Sequence, residues 1–189
     1  ALLAAEPARA VIQLQGSFAK TYKGHGTDKA IIAGIMGMAP DDERIRRAPE
    51  LAAAAHLAVT IETVELDGAH PNTARILLWD AAGRTVTVQG ASVGGGNILI
   101  TSVNGMEVQI TGQYTTLIVL HRDTPGTIAA VADVLAAHGV NICNFRLARR
   151  EKGGVAVMTI ELDGSFEPKL NREVEALPNI LSSTMLQPI

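Results

Sequence analysis

The chain has 189 residues, of which 47% are hydrophobic but only 3% aromatic, so its core must be built from Ala, Val, Ile and Leu. The formal net charge is −3, and without a Lys/Arg cluster or an acidic tail the sequence shows no sign of nucleic-acid binding. No apolar run is long enough to span a bilayer. The single cysteine, Cys143, cannot form an intrachain disulfide, which favours a reducing cytoplasm.

Metal binding by this chain is not expected. Iron–sulfur clusters are held mainly by several thiolates, and one cysteine is too few for such a site. Zinc is not supported either, because the five histidines show no paired ligand spacing.

A single histidine between two glycines, His25, is the first candidate binding residue. An apolar run at residues 10–14 predicts a strand and one at residues 30–35 predicts a helix, which leaves residues 16–28 as the connecting loop. An imidazole beside a helix N-terminus is well placed to meet a small polar or anionic ligand. The alternative is a tight turn with an exposed histidine.

The rest of the first 112 residues predicts an α+β layer of two or three helices and five or six strands. Thr27 or Asp28 is expected to cap the first helix, and Gly37 to end it. Acidic residues 41–43 mark a further helix start, and Pro49 should kink or divide that helix. Strands are predicted at residues 59–64, 73–79, 85–88, 97–103 and 106–110, with the last two joined in a hairpin at Asn104-Gly105.

Two further segments of this region are candidates for ligand contact. Pro71 stiffens the loop that holds His70 and Asn72, although a loop cap explains these residues equally well without a ligand. The run Gly94-Gly95-Gly96 could cradle a carboxylate with backbone amides, or it could be a bulge or a flexible connection between strands.

From residue 113 onward the pattern changes to β-α-β-β-α-β, the ferredoxin-like order. Thr124 is expected to cap a helix that has Pro125 at its first position and Gly139 at its end. The remaining elements are predicted as strands at residues 115–120, 141–148, 155–162 and 180–186 and a helix at residues 168–177.

Four blocks of the first domain together resemble the beta chain of the iron–sulfur type of bacterial L-serine dehydratase. Their order and spacing match over nearly the whole chain. Relatives carry a further N-terminal Ser-Ser-His-Thr segment, so we expect a truncated chain. The blocks are Lys20-Thr21-Tyr22-Lys23-Gly24-His25-Gly26-Thr27-Asp28, Asp42-Glu43-Arg44-Ile45, His70-Pro71-Asn72-Thr73 and Gly94-Gly95-Gly96.

The resemblance implies that residues 1–112 form an allosteric-substrate-binding-type domain that docks on a catalytic alpha chain. The complex would convert L-serine to pyruvate and ammonia, a lyase reaction of amino-acid metabolism and gluconeogenesis. The alpha chain would carry the [4Fe-4S] cluster, and this chain alone would be inactive. His25, His70 and Asn72 become candidates for converging on the partner's active site, with substrate binding by Gly94, Gly95 and Gly96.

The second domain, residues 113–189, resembles an ACT domain in the blocks His121-Arg122-Asp123-Thr124-Pro125-Gly126-Thr127-Ile128 and Gly139-Val140-Asn141-Ile142. Amino-acid-binding ACT domains hold their ligand between two copies, which implies a homodimer with L-serine or another amino acid as effector. The matching effector-binding positions are His121, Asp123 and Asn141. Asp123 replaces a common asparagine, and a domain used only for dimer contacts is the alternative.

A non-catalytic amino-acid sensor is the alternative function. The two-domain order also resembles the regulatory part of phosphoglycerate dehydrogenase, but this chain has no dinucleotide-binding part. The Gly24-His25-Gly26-Thr27-Asp28 and His70-Pro71-Asn72 blocks favour the dehydratase.

Overall fold

A computed structural model of the chain describes residues 3, 5–164 and 166–188. These residues form two sheets, each covered by helices on one face, which confirms the α+β prediction. No described helix is both long enough and apolar enough to cross a membrane. The elements of the first domain are β1 (Pro7–Leu14), α1 (Gly16–His25), α2 (Thr27–Ile35), a 3₁₀ helix (Glu43–Arg47), α3 (Ala48–Ala54), β2 (Ala58–Thr63), β3 (Thr73–Asp80), β4 (Thr85–Gly94), β5 (Asn97–Val103) and β6 (Met106–Ile110).

The six strands of the first domain lie in the order β2-β1-β3-β4-β5-β6. Strands β1 and β2 are parallel, and the other neighbours are antiparallel. The buried core under the helices consists of aliphatic side chains, as the aromatic-poor composition predicts. The core under the helices consists of Ala10, Ile12, Leu14, Ile32, Ala33, Ala48, Ala52, Leu57 and Ala74.

The predicted loop at residues 16–28 is wrong, because most of it is helix α1. Gly16, with φ +57°, turns the chain from β1 directly into the helix. Gly26, with φ +70°, ends α1 by donating its N–H to the Tyr22 carbonyl, and it is also the residue before α2. Neither Thr27 nor Asp28 therefore caps α2, and His25 is the last residue of α1 rather than a loop residue.

Other local predictions for the first domain are confirmed. The Asp42 side chain accepts a hydrogen bond from the Arg44 N–H at the start of the 3₁₀ helix, and Pro49 lies in the first turn of α3. The helical segment is therefore divided where Pro49 predicts it. Asn104 and Gly105, with φ +50° and +72°, form the β5–β6 turn.

The second domain has the predicted ferredoxin-like order, with the sheet arranged β10-β7-β9-β8. One helix boundary is wrong: α4 begins at Thr127 after Gly126 in the left-handed region, so Thr124 and Pro125 precede the helix as a turn. Gly139, with φ +66°, follows its end as predicted. The elements are β7 (Thr115–Arg122), α4 (Thr127–Ala137), β8 (Ile142–Arg149), β9 (Val155–Leu162), α5 (Pro168–Glu175) and β10 (Ile180–Leu186).

The two domains share a buried apolar cluster, which we call the interdomain cluster. Only residues 111–114 separate β6 from β7, and the β5–β6 hairpin packs against the second sheet. On β7, Ile118 and Leu120 of this cluster alternate with Leu117 and Val119, which pack in the core formed with α4 and α5. Ile118 and Leu120 therefore point away from those two helices. The cluster consists of Val103, Met106, Val108, Ile110, Ile118, Leu120 and Val157.

Candidate functional site

The loop between β2 and β3 folds around the N-terminal end of α1, and Gln15 holds it there. The Gln15 carboxamide donates to the Ala69 carbonyl at 2.9 Å and accepts from the Leu66 N–H at 2.5 Å. Sequence reasoning missed this residue. Its only local signal is a polar side chain between a strand and a glycine, and its partners lie more than 50 positions away.

A close backbone approach places the same loop against α1. The Ser17 N–H donates to the Pro71 carbonyl at 2.8 Å. A Cβ atom on Gly16 would lie 2.6 Å from that carbonyl oxygen and 2.9 Å from the Pro71 Cα. Only glycine fits this contact, so Gly16 is required both by its φ and by the space available.

His70, which is exposed, and Asn72, which is half-buried, lie together on this loop. The Asn72 N–H donates to His70 Nδ1 at 3.1 Å, so the neutral ring carries its proton on Nε2. The Asn72 carboxamide is half-buried and makes no hydrogen bond to the described residues. A donor at His70 Nε2 and an amide that both donates and accepts are thus available to an incoming ligand.

The Gly94-Gly95-Gly96 run lies at the end of the sheet where β3 begins and β4 ends, next to the loop of His70 and Asn72. It forms the β4–β5 turn, and all three glycines have positive φ. The Ser92 N–H, two residues before Gly94, donates to the Asn72 carbonyl at 3.1 Å. The structure therefore brings the β4–β5 turn near the loop that holds His70 and Asn72.

His25 does not lie at this position. It ends α1, whereas the Pro71 loop packs at the start of the same helix. A helix of 10 residues separates the two by roughly 14 Å along its axis. The expected convergence of His25 with His70 and Asn72 at one point is therefore not found within this chain.

An open apolar groove of about 350 Å³ lies between these two places. Thr27, two residues after His25, lines it on one side, and Ser92, bonded to Asn72, lines it on another. Helices α1 and α2 leave this part of β3, β4 and β5 uncovered. Its apolar walls are Phe18, Ile31, Ile76, Val88, Ile98 and Ile100.

In the second domain, His121 and Asp123 lie at the end of β7. His121 is 1% exposed, its Nδ1 donates to the Arg122 carbonyl at 2.8 Å, and its Nε2 has no partner among the described residues. The Gly153 N–H and then the Arg149 guanidinium hold the pKa of Asp123 below its ordinary value. This carboxylate is therefore charged and already partnered before any ligand binds.

Asn141 lies at the opposite end of β8 from Asp123. Its carboxamide donates to Asp163 at 2.6 Å, whereas Asp123 bonds to Arg149 at the other end of that strand. At about 3.4 Å per residue, residues 141 and 149 are roughly 27 Å apart. The three predicted effector residues therefore do not meet within one chain.

The residues of this chain do not fit an iron–sulfur cluster. No group of three or more His, Cys, Asp and Glu side chains in the described part could hold a metal ion. Cys143 is exposed on β8, and partial desolvation together with the Asp163 and Glu161 carboxylates raises the pKa of its thiol. That environment disfavours the thiolate that a metal ligand requires.

Comparisons with known proteins agree on both halves of the chain. The family model described as serine dehydratase beta chain matches residues 2–67. The model described as an AHAS small subunit-like ACT domain matches residues 117–182. A D-3-phosphoglycerate dehydrogenase of Methanocaldococcus jannaschii is 34% identical over 82 residues, which are 43% of this chain but only 16% of that enzyme.

Two relatives align over most of their length. The L-serine dehydratase beta chain of Peptoniphilus asaccharolyticus is 37% identical over 163 residues, 86% of this chain and 73% of its own. A probable L-serine dehydratase beta chain of Bacillus subtilis (strain 168) is 40% identical over 185 residues, 98% of this chain and 84% of its own. With this similarity spanning both domains, the chain belongs to the family of L-serine dehydratase beta chains and carries an ACT domain in its C-terminal half.

Proposed function

We propose that this chain is the beta subunit of an iron–sulfur-dependent L-serine dehydratase that forms pyruvate and ammonia. The 40% identity to a probable L-serine dehydratase beta chain over 98% of this chain is the observation that carries the proposal. We assign the [4Fe-4S] cluster to a partner alpha chain; this assignment is supported by the lack of a group of metal-ligating side chains among the described residues. The isolated beta chain is then expected to be inactive.

The reaction requires loss of the α-proton and of the hydroxyl of serine, and a Lewis acid on the partner would assist the hydroxyl. This chain would contribute polar groups that bind and orient the substrate. The Nε2–H of His70 suits the substrate carboxylate or hydroxyl, and the Asn72 amide can bond to the ammonium or carboxylate. Backbone amides at residues 94–96 would add to carboxylate binding.

We assign the apolar groove beside these residues to docking of the alpha chain. The groove is an uncovered part of a sheet that α1 and α2 otherwise shield, and exposed apolar patches of this kind mark interaction sites. Thr27, two residues after His25, lines one side of it, and Ser92, which donates to the Asn72 carbonyl, lines another. His25 and the loop of His70 and Asn72 could both contact one bound partner without touching each other.

The second domain is assigned to assembly and to amino-acid regulation. Strand β8 is an edge strand, and three of its apolar side chains are 36–40% exposed: Ile142, Phe145 and Leu147. Antiparallel pairing of β8 with its copy would bring Asn141 of one chain to Asp123 of the other. An amino-acid effector would bind there, with its ammonium near Asp123.

Reconstitution with the alpha chain tests the catalytic proposal. His70→Ala and Asn72→Ala are expected to reduce kcat/KM, mainly through KM if the residues bind substrate and mainly through kcat if His70 moves a proton. His138→Ala, which removes an exposed histidine bonded to Glu173 in the other domain, is the control. Pyruvate formation by the beta chain alone, or unchanged kinetics in both variants, would refute the assignment.

A sensor without catalytic role is the competing function, supported by the partial similarity to phosphoglycerate dehydrogenase. That relative shares only 16% of its length with this chain. A sensor would bind amino acids without changing any serine dehydratase, so the same reconstitution separates the two functions.

A further inference from the structure

The face of the first sheet that carries no helix bears a row of polar side chains across all six strands. The strand registers pair Glu62 with Gln13, Gln13 with Arg75, Arg75 with Gln89, Gln89 with Ser102 and Ser102 with Glu107. Neighbouring strands are about 4.8 Å apart. Arg75 is therefore flanked by two neutral amides, with Glu62 roughly 10 Å and Glu107 roughly 14 Å away along the row.

Arg75 is a half-buried guanidinium without a carboxylate partner among the described residues. Its Nε and Nη2 donate to Gln89 Oε1 at 3.1 and 2.9 Å. The Gln89 amide in turn donates to Thr101 Oγ1 at 3.3 Å, which fixes its orientation. Two of the five N–H groups are thus used to hold the guanidinium in place, and the remaining donors and the full charge stay available.

A second arginine comes from the other domain. The Arg150 side chain, on the β8–β9 turn, donates to the Asn104 carbonyl at 2.5 Å. It lies directly over Gly105, where an added Cβ would overlap its guanidinium. This contact is again to a neutral carbonyl, and Glu151, next in sequence, belongs to the adjoining surface with Met106 and Val155.

Both arginines line one groove of about 600 Å³ between the two domains. Most of the other lining side chains are neutral and polar, Leu77 is apolar, and no Asp or Glu lies among the lining residues. The hydroxyls and amides that face it come from Thr85, Thr87, Ser102, Gln13 and Gln89.

We propose that this groove binds a small oxyanion with two negative charges, of the phosphate-ester or dicarboxylate class. Guanidinium groups bind such oxygens bidentately, and two oriented arginines in a groove whose lining contains no Asp or Glu match two charges. A half-buried charge without a counter-ion is unfavourable, and a bound anion removes that cost. The concave shape, to which the second domain contributes Arg150, fits a small ligand better than a protein surface.

The bound anion would join the two domains, since Arg75 belongs to one and Arg150 to the other. This is independent of the candidate serine-binding loop, none of whose residues lines the groove. A ligand here would resist any change in the angle between the domains.

The test is titration of the full chain with inorganic phosphate and, separately, with malonate, at constant ionic strength set with sodium chloride. Calorimetry should show saturable one-to-one binding by at least one of these anions. Arg75→Gln and Arg150→Gln should each weaken that binding roughly tenfold or more. Arg172→Gln, on an exposed arginine of α5, should leave it unchanged.

Arg75→Lys keeps the charge but loses the fork held by Gln89, and it is expected to bind with intermediate affinity. It also keeps the test valid if Arg75→Gln fails to fold. Binding of both anions no stronger than a matched chloride addition would overturn the proposal. So would Arg75 and Arg150 variants that bind the anion as tightly as the wild type, including variants that lose association with an alpha chain but keep wild-type anion affinity.

Discussion

Gly16 lets the candidate serine-binding loop pack against the start of α1. It combines a left-handed backbone with a contact that leaves no room for a side chain, and that contact is to the backbone of Pro71. The neighbouring His70 and Asn72 therefore depend on a glycine that contributes no chemical group of its own.

Gly16→Ala should destabilise the chain by about 2–5 kcal/mol, from left-handed strain of roughly 1–2 kcal/mol and overpacking of roughly 1–3 kcal/mol. Gly83→Ala is the matched control, because Gly83 has φ +78° and nothing within 4 Å of its added Cβ. It should lose only the strain. Urea unfolding of both variants gives the comparison, and equal losses would contradict the close contact at Pro71.

The residues of the candidate sites differ in how far sequence can locate them. His70, Asn72 and the effector positions stand in short motifs, so a family resemblance finds them. Gln15 and Arg75 acquire their roles from partners distant in sequence, and no local pattern marks them. Two flanking glycines predict a loop at His25, although only Gly26 ends the helix.

At the scale of elements, the 3₁₀ helix depends on a charged cap. The Arg44 side chain and its backbone N–H both bond to Asp42 and lower the pKa of this carboxyl to about 2. Because the folded pKa lies below the ordinary value of 3.8, the carboxylate stabilises the fold above that value, and this contribution is lost as pH falls toward 2.

Asp42→Asn keeps the capping geometry but removes the charge. The wild-type chain should be more stable than this variant at neutral pH, and the difference should shrink between about pH 4 and pH 2. Asp41→Asn, on the neighbouring carboxylate, controls for the loss of one negative charge. The measurement is the urea midpoint of the wild type and of each variant across this pH range. A stability difference between the wild type and Asp42→Asn that does not depend on pH would contradict the role of Asp42.

Strand β8 leads to a prediction about register. If antiparallel pairing sets Asn141 opposite Arg149 of the second chain, the two-fold axis passes through Phe145, because that residue is midway between them. Phe145 residues of the two chains would then face each other with Cα atoms about 4.5–5.5 Å apart, within disulfide range.

Phe145→Cys in a Cys143→Ser background should therefore form a covalent dimer on mild oxidation. Leu181→Cys in the same background, at a 48% exposed position on the other edge strand, should not. Non-reducing electrophoresis distinguishes the two. A monomeric Phe145→Cys chain, together with sedimentation of a wild-type monomer, would exclude this register.

Elements were easier to predict than their boundaries. Most strands show clear alternation, and β5–β6 contains a strong turn sequence at Asn104-Gly105. The sequence does not predict helix α1, because Gly16 and Gly24 are typical of loops. Its apolar side chains nevertheless pack on the core of the sheet. The contact that makes it a helix lies across the domain and is not visible in a local window.

At the scale of the whole molecule, the interdomain cluster makes the two sheets one unit. Ile118 is 1% exposed and faces β6 from the second sheet. The wild-type chain should therefore unfold in a single transition, because neither sheet can expose this face without a loss of buried apolar surface.

Ile118→Asp places a charge in the cluster and should separate the unfolding of the two domains. The only tryptophan, Trp79, reports on the first domain, whereas circular dichroism reports on both. The two signals should coincide in the wild type and diverge in the variant. Val155→Asp, at a 44% exposed position on the same sheet, is the control and should retain coincident transitions.

The same cluster limits what can be done with the ACT domain as a module. Grafting residues 113–189 onto another enzyme would bring Ile118, Leu120 and Val157 into water. A chimera would need either polar replacements at these three positions or a recipient that supplies a hairpin like β5–β6. Exchange of this domain between proteins is thus constrained by the face of its sheet that is opposite α4 and α5.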